Sequence, residues 1–192
     1  MPKLYFIRHG QTEANVKGIL TGRMETNLTP KGIDDAKEVG KTLKEKFDYY
    51  YCSPLNRTRQ TLKAIVGDVD FIIDDRITEV YSGDWQGKLK TDLPEKEYDL
   101  YKNGILTPPN GESLTEVDQR IILFLDDIFD KYSNDDKILV ITHNAFMRNL
   151  KRLFSQDGKE PKNLEIFIVD NDMYNELICK RSWSKWMKIK LI

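Results

Sequence analysis

Histidine is almost missing from this chain: 192 residues contain two, His9 and His143. So widely separated a pair, without a clustered set of carboxylates, is a poor zinc site, and no metal is expected. Cysteine is equally scarce, with only Cys52 and Cys179, which argues against a disulfide framework. No apolar run approaches the ~20 residues that a membrane-spanning helix needs. Charge of one sign is lacking too: 30 Lys and Arg face 31 Asp and Glu. Nucleic acid or an anionic membrane held by bulk electrostatics is therefore not an expected partner. The start, MPKLYFIRH, has neither a basic leader nor a long apolar stretch, so a cytoplasmic protein is expected. There is no repeat, low-complexity tract or clear linker, and 40% hydrophobic residues suffice for a core. One domain over residues 1–192 is the expectation.

What the chain does have is alternation. Short apolar runs at Lys3–Ile7, Tyr49–Cys52, Phe71–Ile73, Lys137–Ile141, Leu164–Val169 and Tyr174–Cys179 read as strands. Between them lie helical patterns. Ile33, Ala36, Val39 and Leu43 share one face behind Thr29-Pro30, an N-cap followed by a proline at the first helical position. Leu55, Thr58, Leu62 and Ile65 repeat the spacing. Ser113-Leu-Thr-Glu116 is a capping box ahead of an apolar stripe of Val117, Ile121, Phe124, Leu125, Ile128 and Tyr132. The pattern predicts an α/β fold: a three-layer αβα sandwich whose mostly parallel central sheet has about six strands, with helices on both faces. Residues 84–112, with Pro94, Pro108 and Pro109, predict an insertion or lid with one short helix around residues 93–101.

In open α/β sheets ligands bind beyond the carboxyl ends of the strands. That brings Arg8-His9, Ser53 to Arg57 and His143 into one candidate pocket, since each follows a predicted strand. Several other phosphate motifs fail on spacing. Cys52 and Arg57 are separated by four residues where a cysteine phosphatase loop has five. Gly83 to Lys88 is one residue short of a P-loop. Arg8 and Arg57 can each offer a planar fork of donors to phosphate. Backbone amides at the first turn of the Arg57 helix, the amides near Gly10 and the side chain of Asn15 would add neutral donors. Gly10 would let the backbone turn sharply beside the ligand.

RHGQTEAN at residues 8–15, SPLNRTRQT at 53–61 and THN at 142–144 resemble the blocks of the histidine phosphatase, or phosphoglycerate mutase-like, superfamily. Thr21-Gly22-Arg23, Glu79 with Gly83, Trp85 and Gly87, and Gly111-Glu112-Ser113 resemble the remaining blocks in order. The resemblance implies two-step phosphoryl transfer. His9 would be the nucleophile and become phosphohistidine, with Arg8, Arg57 and His143 binding the phosphoryl group and Glu79 protonating the leaving alcohol. A neutral imidazole is a competent nucleophile near pH 7, and a leaving alkoxide needs a proton. No cofactor is implied. Substrate contacts are expected from Asn15, Thr21, Gly22, Ser82, Lys90 and Asn144.

The chain departs from the family pattern at Asn144, where glycine often follows the second histidine, and at Ser82, where many of these phosphatases carry an aromatic. Residues 182–192, with Trp183 and Trp186, match no block. Three readings stand: a phosphatase acting on a small-molecule phosphate ester, a phosphoglycerate mutase, and a non-catalytic phospholigand sensor. The first is favoured because Lys88–Pro109 contains no arginine, whereas the mutases carry a longer insertion with a paired arginine for the substrate carboxylate. A homodimer is open.

Overall fold

Hydrophobic alternation along two short strands organises the molecule. In β1 (Lys3–Arg8), Leu4 and Phe6 face one way while Tyr5 and Ile7 face the other. In β4 (Lys137–Thr142), Ile138 and Val140 oppose Leu139 and Ile141 in the same manner. All eight are buried, as befits strands covered on both faces. The computed structural model describes residues 2–133, 135–155 and 159–189, with backbone alone for 182–189.

β2 (Tyr49–Cys52), β3 (Ile72–Ile73) and β5 (Ile166–Val169) complete a five-stranded sheet in the order β3-β2-β4-β1-β5. All its pairings are parallel except that of β5 with β1. Against one face pack α2 (Pro30–Thr42) and α3 (Asn56–Val66), through Ala36, Leu62 and Ile65. Against the other pack α5 (Leu114–Lys131), α6 (Asn144–Leu153) and α7 (Asn171–Ile189). This is the expected α/β sandwich with a mostly parallel sheet. The short helices α1 (Glu13–Val16) and α4 (Glu95–Lys102) lie outside these layers in sequence, in the loops after β1 and β3.

The helix starts obey local chemistry. Thr29 Oγ1 accepts the Gly32 N–H at 2.9 Å, with Pro30 at the first helical position. Ser113 and Glu116 form both hydrogen bonds of the capping box, at 3.3 and 2.7 Å. α2 and α3 cross very closely at Gly40, where an added Cβ would lie 2.2 Å from the Ile65 carbonyl oxygen. Cys52 is wholly buried at the end of β2, whereas Cys179 is exposed on α7.

One strand expectation is overturned. Tyr174–Cys179 lies within α7, so the sheet has five strands, not six. Asp170 Oδ1 accepts the Met173 N–H at 3.1 Å and starts the helix. Tyr174 then stacks on Phe129 at 4.1 Å, and Leu177, three residues on, is buried. That spacing suits one helical face, and a strand would send alternate residues to opposite sides. The short helix expected at 93–101 starts two residues later, with Pro94 as its cap. It belongs to a third small core of Trp85, Leu93 and Tyr101. The side chains of residues 182–189, and residues 190–192 altogether, lie outside what is described.

Candidate active site

Parallel register explains why distant residues meet. Arg8 pairs with Thr142 and Cys52 with Ile141, so β1, β4 and β2 end nearly level. The next residues are His9, His143 and Ser53. The His9 N–H donates to Thr142 O at 2.9 Å, and the Ser53 N–H donates to Ile141 O at 3.2 Å, carrying the ladder to its end. The two imidazoles meet edge to face with centroids 5.3 Å apart.

Hydrogen bonding assigns both tautomers. His9 Nδ1 lies 2.8 Å from Gly10 O. A carbonyl only accepts, so Nδ1 carries the proton and Nε2 keeps its lone pair. Arg57 Nε donates to His143 Nδ1 at 3.2 Å, so His143 Nε2 carries the proton and donates to Ser53 Oγ at 2.7 Å. Burial first, then the positive charge of Arg57 and Arg8, holds His9 well below the usual imidazole range. Burial, then Arg57, does the same to His143. Both rings are neutral near pH 7.

Arg57 is buried and spends three donors on structure: His143, Met24 O and Gly22 O, the last two at 2.8 Å. It ties the 21–24 loop to the end of β4. Arg8 donates from Nη1 to Pro161 O at 2.5 Å, while its buried Nε has no hydrogen-bond partner among the described residues. Burial pulls both guanidinium groups below their ordinary value, opposed chiefly by the field of Glu79. The Glu79 carboxylate caps α6: Oε1 accepts the N–H groups of Val80, Ala145 and Phe146 at 2.9, 3.1 and 3.3 Å. Oε2 has one longer contact, 3.4 Å to the Ala145 N–H.

Arg8, His9, Arg57 and Glu79 line one cleft of about 580 Å³, together with Asn15, Thr21, Gly22, Ser82, Lys90 and Asn144. All ten were singled out in the sequence. His143 does not line it; it stands behind Arg57. Asn15 Oδ1 accepts the Thr12 N–H at 3.1 Å, so its NH2 end is the one available to a ligand. Asn144 Nδ2 donates to Glu160 Oε1 at 2.5 Å, and its buried Oδ1 has no partner among the described residues.

Two of the backbone amides beside the cleft are already used within the fold. The Gly10 N–H is spent on Thr61 Oγ1 at 3.0 Å, and an added Cβ at Gly10 would lie 2.8 Å from Gly32 O. That glycine serves close packing against α2, not a turn beside the ligand. The Asn56 N–H at the start of α3 is likewise taken, by Glu25 Oε2 at 2.9 Å.

The sequence and the fold both match known proteins. Residues 4–189 match the histidine phosphatase superfamily (branch 1). The chain belongs to that family. A relative from Hydrogenobacter thermophilus, carried under the provisional name phosphoserine phosphatase 2, is 32% identical over 186 residues, 92% of this chain and 89% of its own. A 2,3-bisphosphoglycerate-dependent phosphoglycerate mutase of Parvibaculum lavamentivorans is 30% identical over 165 residues, 78% of this chain and 79% of its own. Among solved structures, the phosphoserine phosphatase of Entamoeba histolytica in complex with 3-phosphoglyceric acid superposes with a TM-score of 0.77. The two are 28% identical, and the match covers 88% of this chain and 90% of that one.

The sequence reading missed part of the cleft. Tyr98, Tyr101, Lys102, Arg148 and Glu160 also line it. Arg148 lies one turn of α6 beyond Asn144, and that i, i+4 spacing was the signal that could have found it.

Proposed function

We propose that the protein is a metal-independent phosphomonoesterase that works through a phosphohistidine on His9. The carrying observation is the His9 tautomer: Nδ1–H is locked onto Gly10 O, so Nε2 is an unprotonated nucleophile between two arginines. In the first step Nε2 attacks phosphorus, a P–N bond forms and the ester P–O bond breaks. The leaving oxygen takes its proton from Glu79. Water then attacks the phosphohistidine, gives its proton to the Glu79 carboxylate and releases inorganic phosphate, restoring His9. Arg57 spends three of its five N–H donors on the fold, which leaves two for the phosphoryl oxygens. A buried donor left unpaired costs about 1–3 kcal/mol, and Arg8 Nε recovers that when a phosphate oxygen accepts from it. His143 acts here through Arg57, whose Nε it fixes. Residues 84–112 supply the leaving-group side of the cleft through Lys90, Tyr98, Tyr101 and Lys102.

A mutase is the second reading, and mutases among the relatives favour it. Phosphorus NMR of the protein in chelator, with 3-phosphoglycerate and a trace of 2,3-bisphosphoglycerate, separates the two. Inorganic phosphate without isomer supports the phosphatase; 2-phosphoglycerate makes it a mutase. Loss of turnover on adding chelator would overturn metal independence.

A further inference from the structure

A proton donor works only if its carboxyl group waits where the leaving oxygen will be, and a misplacement of about 1 Å can cost about 100-fold in rate. Glu79 needs that precision on unpromising backbone, since residues 78–82 belong to no helix or strand. What holds them is a carboxylate that does not line the cleft. Glu112, with a side chain only 11% exposed, accepts from Arg120 Nε and Nη2 at 2.7 and 3.1 Å. It also accepts from Arg23 Nη2 at 3.0 Å and from the Tyr81 N–H at 3.2 Å. Its own N–H donates to Tyr81 O at 2.8 Å.

An ion pair that only stabilised the fold would have no need to aim its remaining donors. These two arginines do aim theirs. Arg120 Nη1 donates to the carbonyls of Arg76 and Thr78 at 2.6 and 2.8 Å, and Arg23 Nε donates to that of Glu79 itself at 3.0 Å. With both backbone groups of Tyr81 also held, the main chain is fixed on either side of the acid. A carboxylate gripped bidentately orients a guanidinium, so Glu112 sets the direction in which Arg120 presents those donors. Arg23 extends the grip to the phosphate site. It is the middle residue of Gly22-Arg23-Met24, whose outer carbonyls accept from Arg57 at 2.8 Å. Gln86 Oε1 pins its N–H, also at 2.8 Å.

We propose that Glu112 is a positioning residue for the reaction. Through Arg23 and Arg120 it holds the Glu79 segment in register with Arg57, so that the proton and the phosphoryl group are handled at a fixed separation. The inference rests on Glu79 acting as the leaving-group acid of the phosphatase argued above.

The test is kcat/KM for phenyl phosphate and p-nitrophenyl phosphate, two esters of similar shape whose leaving groups differ in their need for a proton. Glu112→Gln turns one accepting oxygen into a donor that faces other donors, with little change of volume. It should lower kcat/KM for phenyl phosphate by about 10- to 100-fold and leave p-nitrophenyl phosphate nearly unchanged. Glu79→Gln should show the same selectivity more strongly. Glu112→Gln added to it should lower the phenyl phosphate value little further, because the group it positions is gone. A merely structural ion pair would depress both esters alike, and its effect would multiply with that of Glu79→Gln. Either of those results, or an unchanged phenyl phosphate value, overturns the proposal. Should Glu112→Gln not fold, Arg23→Met, at a side chain 39% exposed, must show the same selective loss, and an equal loss on both esters is then the overturning result. A selective Glu79→Gln beside an unselective Glu112→Gln overturns this inference alone. An unselective Glu79→Gln, or a wild-type protein that releases phosphate from neither ester, overturns the leaving-group acid and this inference with it.

Discussion

Two buried neutral histidines should make this protein lose stability on mild acidification. In the unfolded chain an imidazole takes up a proton below about pH 6.5. In the native chain burial and the neighbouring arginines hold His9 and His143 well below that, so the folded state binds fewer protons. Stability therefore rises with pH through this window and falls as pH drops below about 6.5. A histidine that stays neutral in the native state throughout costs roughly 1.4 kcal/mol between pH 8 and pH 5.5. The two together cost about 3 kcal/mol, a large share of the ~5–15 kcal/mol typical of a domain. The chain contains no other histidine, and Glu45, Glu116 and Glu165, all held low, enter only below this window. Urea unfolding at pH 8, 7, 6.5, 6 and 5.5 in phosphate-free buffer measures it, since an oxyanion at Arg8 and Arg57 would stabilise the native state. His9→Asn and His143→Asn should each remove about half of the slope. A flat profile, or a slope that persists in the double substitution, would refute the reasoning.

The same depression keeps His9 nucleophilic in acid, so kcat/KM should hold its value well below pH 6.5 before falling; a fall centred near the ordinary imidazole value would count against it. Glu79→Gln should slow sugar and other alkyl phosphates by about 10²–10⁴-fold and aryl phosphates far less, as expected for loss of a leaving-group acid. Equal losses on both would remove Glu79 from that role. Gly40→Ala, which drives a Cβ to 2.2 Å from Ile65 O, should destabilise by about 1–3 kcal/mol in chemical denaturation. Ser113→Ala should cost about 0.5–2 kcal/mol by the same measurement, because it deletes half of the capping box.

The parts of this molecule that could be read in advance are those where a local rule and a global one agree. Leu4 to Ile7 and Ile138 to Ile141 are short apolar runs, and their level ends follow from parallel pairing of strands that each finish in a functional residue. Thr29, Pro30, Ser113 and Glu116 announce helix starts by chemistry confined to four residues. Tyr174 to Cys179 misled because Leu177, Ile178 and Cys179 form a run too short to distinguish the two periods; the stacking of Tyr174 on Phe129, a tertiary event, makes it a helix. Arg148 was passed over for a related reason, although its spacing from Asn144 pointed to it. An arginine in a helix is ordinarily a solvated charge, and its place against the Tyr101 ring emerges only once α4 and α6 meet. The Gly10 backbone was misjudged because its neighbour, Gly32, comes from across the fold.

The unlike settings of the two cysteines give the protein an internal chemical clock. Burial pushes the Cys52 thiol up to about 12, while Cys179 stands exposed on α7. Alkylation requires thiolate, so a brief maleimide pulse should mark Cys179 in the native chain and reach Cys52 only when β2 parts from its neighbours. The ratio of the two labels then reports how often the sheet opens beneath the strand ends that carry His9 and His143, in a single mass spectrum and without any substrate.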